Sequence, residues 1–81
     1  MKVVGYRNVS YTSKKTGKEV NGVEIYGTYP SNNVVGEATG KEFLSQYIIE
    51  KHNGILPDVG DEFDVSFNRF GQIDHYTITP R

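Results

Sequence analysis

Apolar residues recur at every second position in the stretches 19–29 and 62–68, a period that predicts β-strands, whereas the first stretch alternates imperfectly and is assigned by its β-branched and aromatic residues. Strong turn residues separate the alternating stretches from one another. The five strands predicted in this way are Lys2–Thr12, Glu19–Tyr29, Val34–Ala38, Glu62–Asn68 and Gln72–Thr79. The positions expected to face the core are Val23, Ile25 and Tyr29 in the second strand and Phe63, Val65 and Phe67 in the fourth.

Three glycines predict special backbone geometry. Gly5 interrupts the first strand and indicates a bulge or sharp bend there. Gly17 lies in the hairpin turn of residues 13–18, and Gly71 closes the turn that begins at Asn68. Both positions favour a positive φ, which glycine adopts at little cost.

A helix is predicted between the third and fourth strands. From Lys41 to His52 the apolar residues Phe43, Leu44, Tyr47, Ile48 and Ile49 form one stripe of an amphipathic helix. Thr39 is expected to be the N-cap, with Glu42 three residues later as in a capping box. Asn53 and Gly54 supply a stop signal.

The resulting order, β-β-β-α-β-β, favours a five-stranded OB-fold-like Greek-key barrel with one helix between strands 3 and 4. An SH3-like barrel usually lacks a helix at that point, and a ferredoxin-like fold needs a second helix. The length of 81 residues fits one domain, residues 1–81, with a thin hydrophobic core. A closed barrel would also remove exposed strand edges.

Composition narrows the environment of the protein. There is no cysteine, so disulfides, thiolate metal ligands and thiol chemistry are excluded. No apolar stretch follows Met1 and none is long enough to span a bilayer, which predicts a cytoplasmic protein without a membrane partner. The formal net charge is −1, but residues 1–40 carry +2 and residues 41–81 carry −3, so a basic surface remains compatible with this balance.

The stretch GDEFDVSFNRFGQIDHYTITPR at the end of the chain resembles the small OB-fold single-stranded-DNA-binding proteins of phages and plasmids, of the filamentous-phage type. The MKVV opening and the NRFG turn are also similar to those of short, uncharacterised proteins from Gram-positive mobile elements. These resemblances imply a role in the DNA metabolism of a mobile element. The phage proteins are basic, whereas this chain is slightly acidic.

OB-folds bind oligonucleotides on strands 2 and 3, between the loops that join strands 1–2 and 4–5. We expect these two loops to converge on one groove. They would then bring cations beside aromatic rings, the combination that single-strand binding needs. The candidate nucleic-acid-binding residues are Arg7, Lys14, Lys15, Lys18, Tyr26, Thr28, Arg69 and Phe70.

Each candidate has a structural alternative. The three lysines of the hairpin tip can simply be solvated, and Tyr26 can be a cross-strand packing residue. Phe70 has no local reason to be apolar at a turn tip, unless it folds back as a lid over the barrel end. Three other aromatic residues are assigned to the core or its rim: Tyr6, Tyr11 and Tyr76.

The sequence predicts neither catalysis, a metal nor a cofactor. His75 with Asp74, or Asp58 with Asp61, supplies too few ligands for a metal site. His52 is explained by capping of the helix C-terminus. The leading hypothesis is binding of single-stranded nucleic acid, with DNA favoured over RNA, and the resemblance implies that it serves replication or transfer of a phage, plasmid or other mobile element. The alternative is a protein-interaction module that docks onto a replication or transfer enzyme without binding DNA directly; homodimerisation is compatible with either.

Overall fold

The computed structural model describes all 81 residues as five antiparallel strands in one sheet and a single short helix. The fold is therefore mainly β, as predicted. The helix is too short to cross a lipid bilayer. The elements are β1 (Lys2–Thr12), β2 (Glu19–Pro30), β3 (Glu37–Ser45), α1 (Gln46–Lys51), β4 (Glu62–Phe67) and β5 (Ile73–Thr79).

The strand order in the sheet is β3-β2-β1-β4-β5. β1 and β4 form a short seam at which Lys2 lies opposite Glu62, supported by backbone hydrogen bonds such as Phe63 N–H to Met1 O at 2.8 Å. The outermost strands, β3 and β5, do not pair with each other, so the sheet is not closed as the predicted barrel. Between the two edges lies a groove lined by α1 and by aromatic side chains.

The predicted bulge and turns are confirmed. The β1–β2 register shifts between Val3 and Gly5. Gly17 has φ = 69° and Gly71 has φ = 78° in their respective turns. Local sequence identified these positions because only glycine adopts such backbone angles without strain.

The predicted third strand and helix were wrong in their boundaries. β3 begins at Glu37 and continues through Ser45, so the first half of the predicted helix is strand. Ser45, not Thr39, caps α1, and its Oγ accepts a hydrogen bond from Ile48 N–H at 3.4 Å. Pairing with nine residues of β2 outweighs the weak helix preference of a segment that contains Gly40.

Eight residues form the buried core: Val3, Val23, Ile25, Leu44, Ile48, Ile49, Phe63 and Tyr76. The inward positions predicted at Val23, Ile25 and Phe63 are confirmed, and Val65 is half-buried. The predictions for Tyr29 and Phe67 were wrong, since both side chains are largely exposed. Tyr29 lies beside Gly40 of β3 and Phe67 lines the groove between β3 and β5, so neither ring enters the core.

His52 connects the end of α1 to the free edge of β5. Its Nδ1 lies 2.8 Å from the carbonyl oxygen of Ile48, in agreement with the predicted capping role. Its Nε2 accepts the Tyr76 backbone N–H at 3.3 Å and lies 2.9 Å from Nδ1 of His75. The imidazole also stacks on the Tyr76 ring, with centroids 4.1 Å apart. An edge N–H group of β5 is thereby satisfied by a side chain.

The buried phenol of Tyr76 predicts a loss of stability in alkali. Burial raises the pKa of this phenol above its usual value near 10, and its hydroxyl donates to Ile55 O at 2.6 Å. The contribution is fully present below about pH 10 and is lost as the pH rises through the folded-state pKa. We expect Tyr76→Phe to lower the free energy of unfolding by about 1 kcal/mol at pH 7 and to flatten its fall above pH 10, measured by urea denaturation.

Tyr47→Phe is the matched control for this measurement, because the Tyr47 side chain is 71% exposed. It should leave both the stability at pH 7 and its alkaline slope unchanged. An alkaline slope in Tyr76→Phe as steep as that of the wild type would contradict the assignment.

Candidate nucleic-acid interface

One face of the β1–β2–β3 sheet carries aromatic and cationic side chains side by side. Residues directly opposite each other in antiparallel strands project to the same side. Arg7 lies opposite Glu24, Glu24 opposite Phe43, and Tyr26 opposite Lys41. We call this the outer face, and its main side chains are Arg7, Tyr11, Glu24, Tyr26, Lys41 and Phe43. It is the side opposite to the core residues Val23 and Ile25.

Phe43 packs flat against the sheet at a glycine. A Cβ atom placed on Gly22 would lie 2.6 Å from Cζ of Phe43 and would also collide with the Leu44 carbonyl oxygen. Gly22 is therefore required to be small so that the ring can lie across β2. About a third of the Phe43 side chain remains exposed, and Tyr26 beside it is half-buried. Tyr11 extends the aromatic surface along β1 and is 55% exposed.

Glu24 lies at the centre of the outer face and organises its polar groups. The Tyr26 hydroxyl donates a hydrogen bond to Glu24 Oε1, and Arg7 Nη2 lies 3.3 Å from the same oxygen. Lys41 Nζ lies 4.0 Å from Oε2. The Tyr26 hydroxyl, followed by the charges of Lys41 and Arg7, holds the pKa of the Glu24 carboxyl below its usual range. In turn, the hydrogen bond to Glu24 raises the pKa of Tyr26.

The β1–β2 hairpin extends beyond the end of β3 and carries three lysines at its tip. β3 stops pairing with β2 at Gly22, so residues 19–21 pair only with β1. The turn of residues 13–18, called the lysine turn here, is held by Ser13 N–H to Lys18 O and by Gly17 N–H to Ser13 O, both at 2.8 Å. Lys14, Lys15 and Lys18 are exposed and form no salt bridge.

Arg69 and Phe70 lie elsewhere, in the turn between β4 and β5. From the meeting point of Lys2 and Glu62, β1 runs toward the lysine turn and antiparallel β4 runs away from it. The expected convergence of the two turns on one groove was therefore wrong, because a short antiparallel seam sends them in opposite directions. Phe70 is 73% exposed beneath the Arg69 guanidinium, whose Cζ is 5.0 Å from the ring centroid, so Phe70 forms no lid.

The turn between β4 and β5 borders a different feature, a groove of about 650 Å³. We call it the open groove, because it lies between β3 with α1 on one side and the start of β5 on the other. Its apolar lining consists of Phe43, Tyr47, Ile48, Phe67 and Ile73. The charged side chains beside it include Lys51 and Asp74, whose Nζ and Oδ1 atoms are 4.0 Å apart.

The eight candidate residues therefore fall in three places. Arg7, Tyr26 and Thr28 lie on the outer face, where Thr28 is half-buried opposite Lys2 and Thr39. The three lysines continue from that face, and Arg69 and Phe70 are separate. Sequence reasoning missed Lys41 and Phe43 because they were assigned to a helix. No local signal identifies them, because the pattern of residues 39–44 fits a helix and a strand equally well.

No cluster of three or more His, Asp or Glu side chains is placed to hold a metal ion. Comparison with protein-family models, with curated proteins and with solved structures finds no match to this chain. Any functional conclusion therefore rests on the residues and their geometry.

Proposed function

We propose that this protein binds single-stranded nucleic acid, with single-stranded DNA as the leading ligand, and that it acts by binding rather than by catalysis. The observation that carries the proposal is the outer face, on which Tyr11, Tyr26 and Phe43 lie among Arg7 and Lys41. Base stacking on aromatic rings contributes about 1–3 kcal/mol per base and tolerates any sequence.

The lysine turn supplies the electrostatic part of the proposed interface. It continues along the hairpin from the outer face and adds three unpaired cations to the two on that face. Three acidic residues, Glu19, Glu24 and Glu37, oppose these five cations, so this part of an otherwise slightly acidic protein keeps a net positive charge. A local concentration of cations is what attracts a phosphate backbone.

The proposed architecture is an OB-fold-like barrel that remains open between β3 and β5. The sheet order β3-β2-β1-β4-β5 and the position of α1 after β3 support this proposal. Together with the resemblance of residues 60–81 to phage and plasmid proteins, it suggests an accessory role in replication or transfer of a phage, plasmid or other mobile element in the cytoplasm.

The direct test is fluorescence anisotropy with labelled oligo(dT) at low and at moderate salt. We expect saturable binding at low salt that weakens as salt increases, because lysine–phosphate contacts release counterions. Duplex DNA of the same length is the comparison, and it should bind more weakly because its bases are not free to stack. Absence of saturable oligo(dT) binding at low salt would refute the proposal.

Glu24→Gln is expected to strengthen binding of oligo(dT) at low salt by about 3- to 10-fold. The substitution keeps a hydrogen-bond acceptor for Tyr26 but removes the negative charge that holds Arg7 and Lys41. Both cations are then free to contact phosphates. The measurement is the anisotropy titration described above.

Glu50→Gln is the control for this variant, because it removes one exposed charge on α1, away from the outer face. It should leave the affinity unchanged. Unchanged binding by Glu24→Gln, in a protein that is still folded, would place the ligand on another surface.

The open groove favours a second candidate function, docking of a replication or transfer protein. Its exposed aromatic side chains, Tyr47 and Phe67, have no partner within the chain that covers them. On this alternative, the double variant Tyr47→Ser, Phe67→Ser loses a co-purifying partner, and neither the variant nor the wild-type protein alone binds oligo(dT). Under the leading proposal the wild-type protein binds oligo(dT) without any partner.

A further inference from the structure

The two free edges of the sheet differ in how they are protected. At β5, the outward N–H of Tyr76 is bound by His52, and α1 lies against the strand. At β3, no backbone or side-chain group bonds to the N–H and C=O groups that face away from β2 along Glu37–Lys41. β3 has no bulge or proline, two of the devices that block edge pairing, and the charges of its segment Glu37–Lys41 are complementary between two antiparallel copies.

We propose that Glu37–Lys41 pairs with the same segment of a second copy of this chain, antiparallel and centred on Thr39. A two-fold axis then passes between the two Thr39 residues, and the two five-stranded sheets join into a single sheet of ten strands. The interface forms from the backbone of β3 in the free protein and does not require nucleic acid, although Lys41 and Phe43 belong both to it and to the outer face.

Charge complementarity selects this register. With Thr39 opposite Thr39, Lys41 of each copy lies directly opposite Glu37 of the other, on the outer face. Opposite charges and Thr–Thr pairs at such positions are favourable, whereas like charges directly opposite are unfavourable. Centring the pair on Lys41 would instead oppose two lysines, and centring it on Glu42 would oppose two glutamates.

The other side of the ladder offers no steric obstacle. Ala38 lies opposite Gly40 in both halves of this register, so only small side chains meet there. Continuing the same register brings the exposed Val35 of one copy toward Phe43 of the other. Only residues from Glu42 onward border the open groove, so Glu37–Lys41 is free of the turn between β4 and β5.

The absence of cysteine makes a single-cysteine cross-link a specific test of the register. Thr39→Cys should form a disulfide-linked dimer under mild oxidation, because directly opposite Cα atoms are about 4.5–5.5 Å apart. Lys41→Cys is the register control. Its two cysteines would be more than about 13 Å apart along the paired strands and should not cross-link.

Sedimentation equilibrium of the cysteine-free protein up to about 1 mM, without nucleic acid, tests association itself. We expect a monomer–dimer equilibrium in the wild type. Glu37→Lys places a lysine opposite Lys41 at both ends of the symmetric pair. This repulsion should raise the dissociation constant about tenfold or more. Glu19→Lys makes the same charge change on β2 and should leave the dissociation constant unaffected.

A wild-type protein that stays monomeric at the highest concentration would overturn the proposal. Equal cross-linking of Thr39→Cys and Lys41→Cys would overturn the register. Far-UV circular dichroism of each variant ensures that loss of association is not loss of folding. None of these results depends on oligo(dT) binding, so the dimer and the proposed function can fail separately.

Discussion

Simultaneous replacement of Lys14, Lys15 and Lys18 by glutamine is expected to weaken binding of oligo(dT) about 100-fold at moderate salt. The three side chains are exposed and unpaired, so no internal contact compensates for their loss and the fold should be unaffected. For single strands, the slope of log K against log salt is about −0.7 per neutralised phosphate. Removing three cations should therefore reduce the steepness of this slope by about two.

The control is the double variant Lys51→Gln, Arg81→Gln, which removes two cations away from the lysine turn and the outer face. It should leave the slope of log K against log salt unchanged and alter the affinity by no more than about twofold, because distant charges are screened at moderate salt. A triple lysine variant with wild-type affinity and slope would mean that the lysine turn is only solvated. The outer face would then have to account for binding alone.

Phe63→Ala is expected to lower the free energy of unfolding by about 3–5 kcal/mol, the range for deleting a buried phenyl ring. Phe63 is 2% exposed, packs against Tyr76 with ring centroids 5.5 Å apart, and lies on the seam where β4 meets Met1 and β1. Native domains are stable by only about 5–15 kcal/mol, and this core has only eight residues. The variant should therefore be largely unfolded at about 37 °C.

Phe67→Ala is the matched control, because it makes the same change on the same strand where the side chain is exposed. This substitution should lower the free energy of unfolding by less than about 1 kcal/mol. Urea denaturation followed by circular dichroism distinguishes the two outcomes. Similar losses for both variants would mean that the open groove is covered in solution and that Phe67 belongs to the core.

Local patterns predicted the strands and turns that depend on neighbouring residues alone. Alternation, β-branched and aromatic content, and flanking turn residues together predicted β1, β2, β4 and β5 to within one or two residues of their observed ends. Glycine preferences located both hairpin turns. The same reasoning failed in residues 34–45, where Phe43 and Leu44 fit a helical stripe and a strand equally well. Pairing with β2 decides between them, and that interaction is with a distant part of the chain.

The candidate site likewise has one part that the sequence reveals and another that only the tertiary structure brings together. The lysines of the hairpin tip are visible in the sequence, because a turn exposes its side chains whatever the rest of the fold does. The outer face is not visible in the sequence, because Arg7, Glu24 and Phe43 come from three strands and become neighbours only through the sheet register. The role of Glu24 likewise depends on the Tyr26 hydroxyl and the two cations that surround it.

What the amino-acid sequence determined by itself is the mainly β character, the turns and the inward positions Val23, Ile25 and Phe63, because alternation and glycine preferences act over a few residues. The tertiary structure alone decided that β3 replaces half of the expected helix, that the sheet stays open, and that the two predicted loops diverge. These features follow from which strands become neighbours and in which direction they run, and the free energy of those contacts comes from residues far apart in the chain.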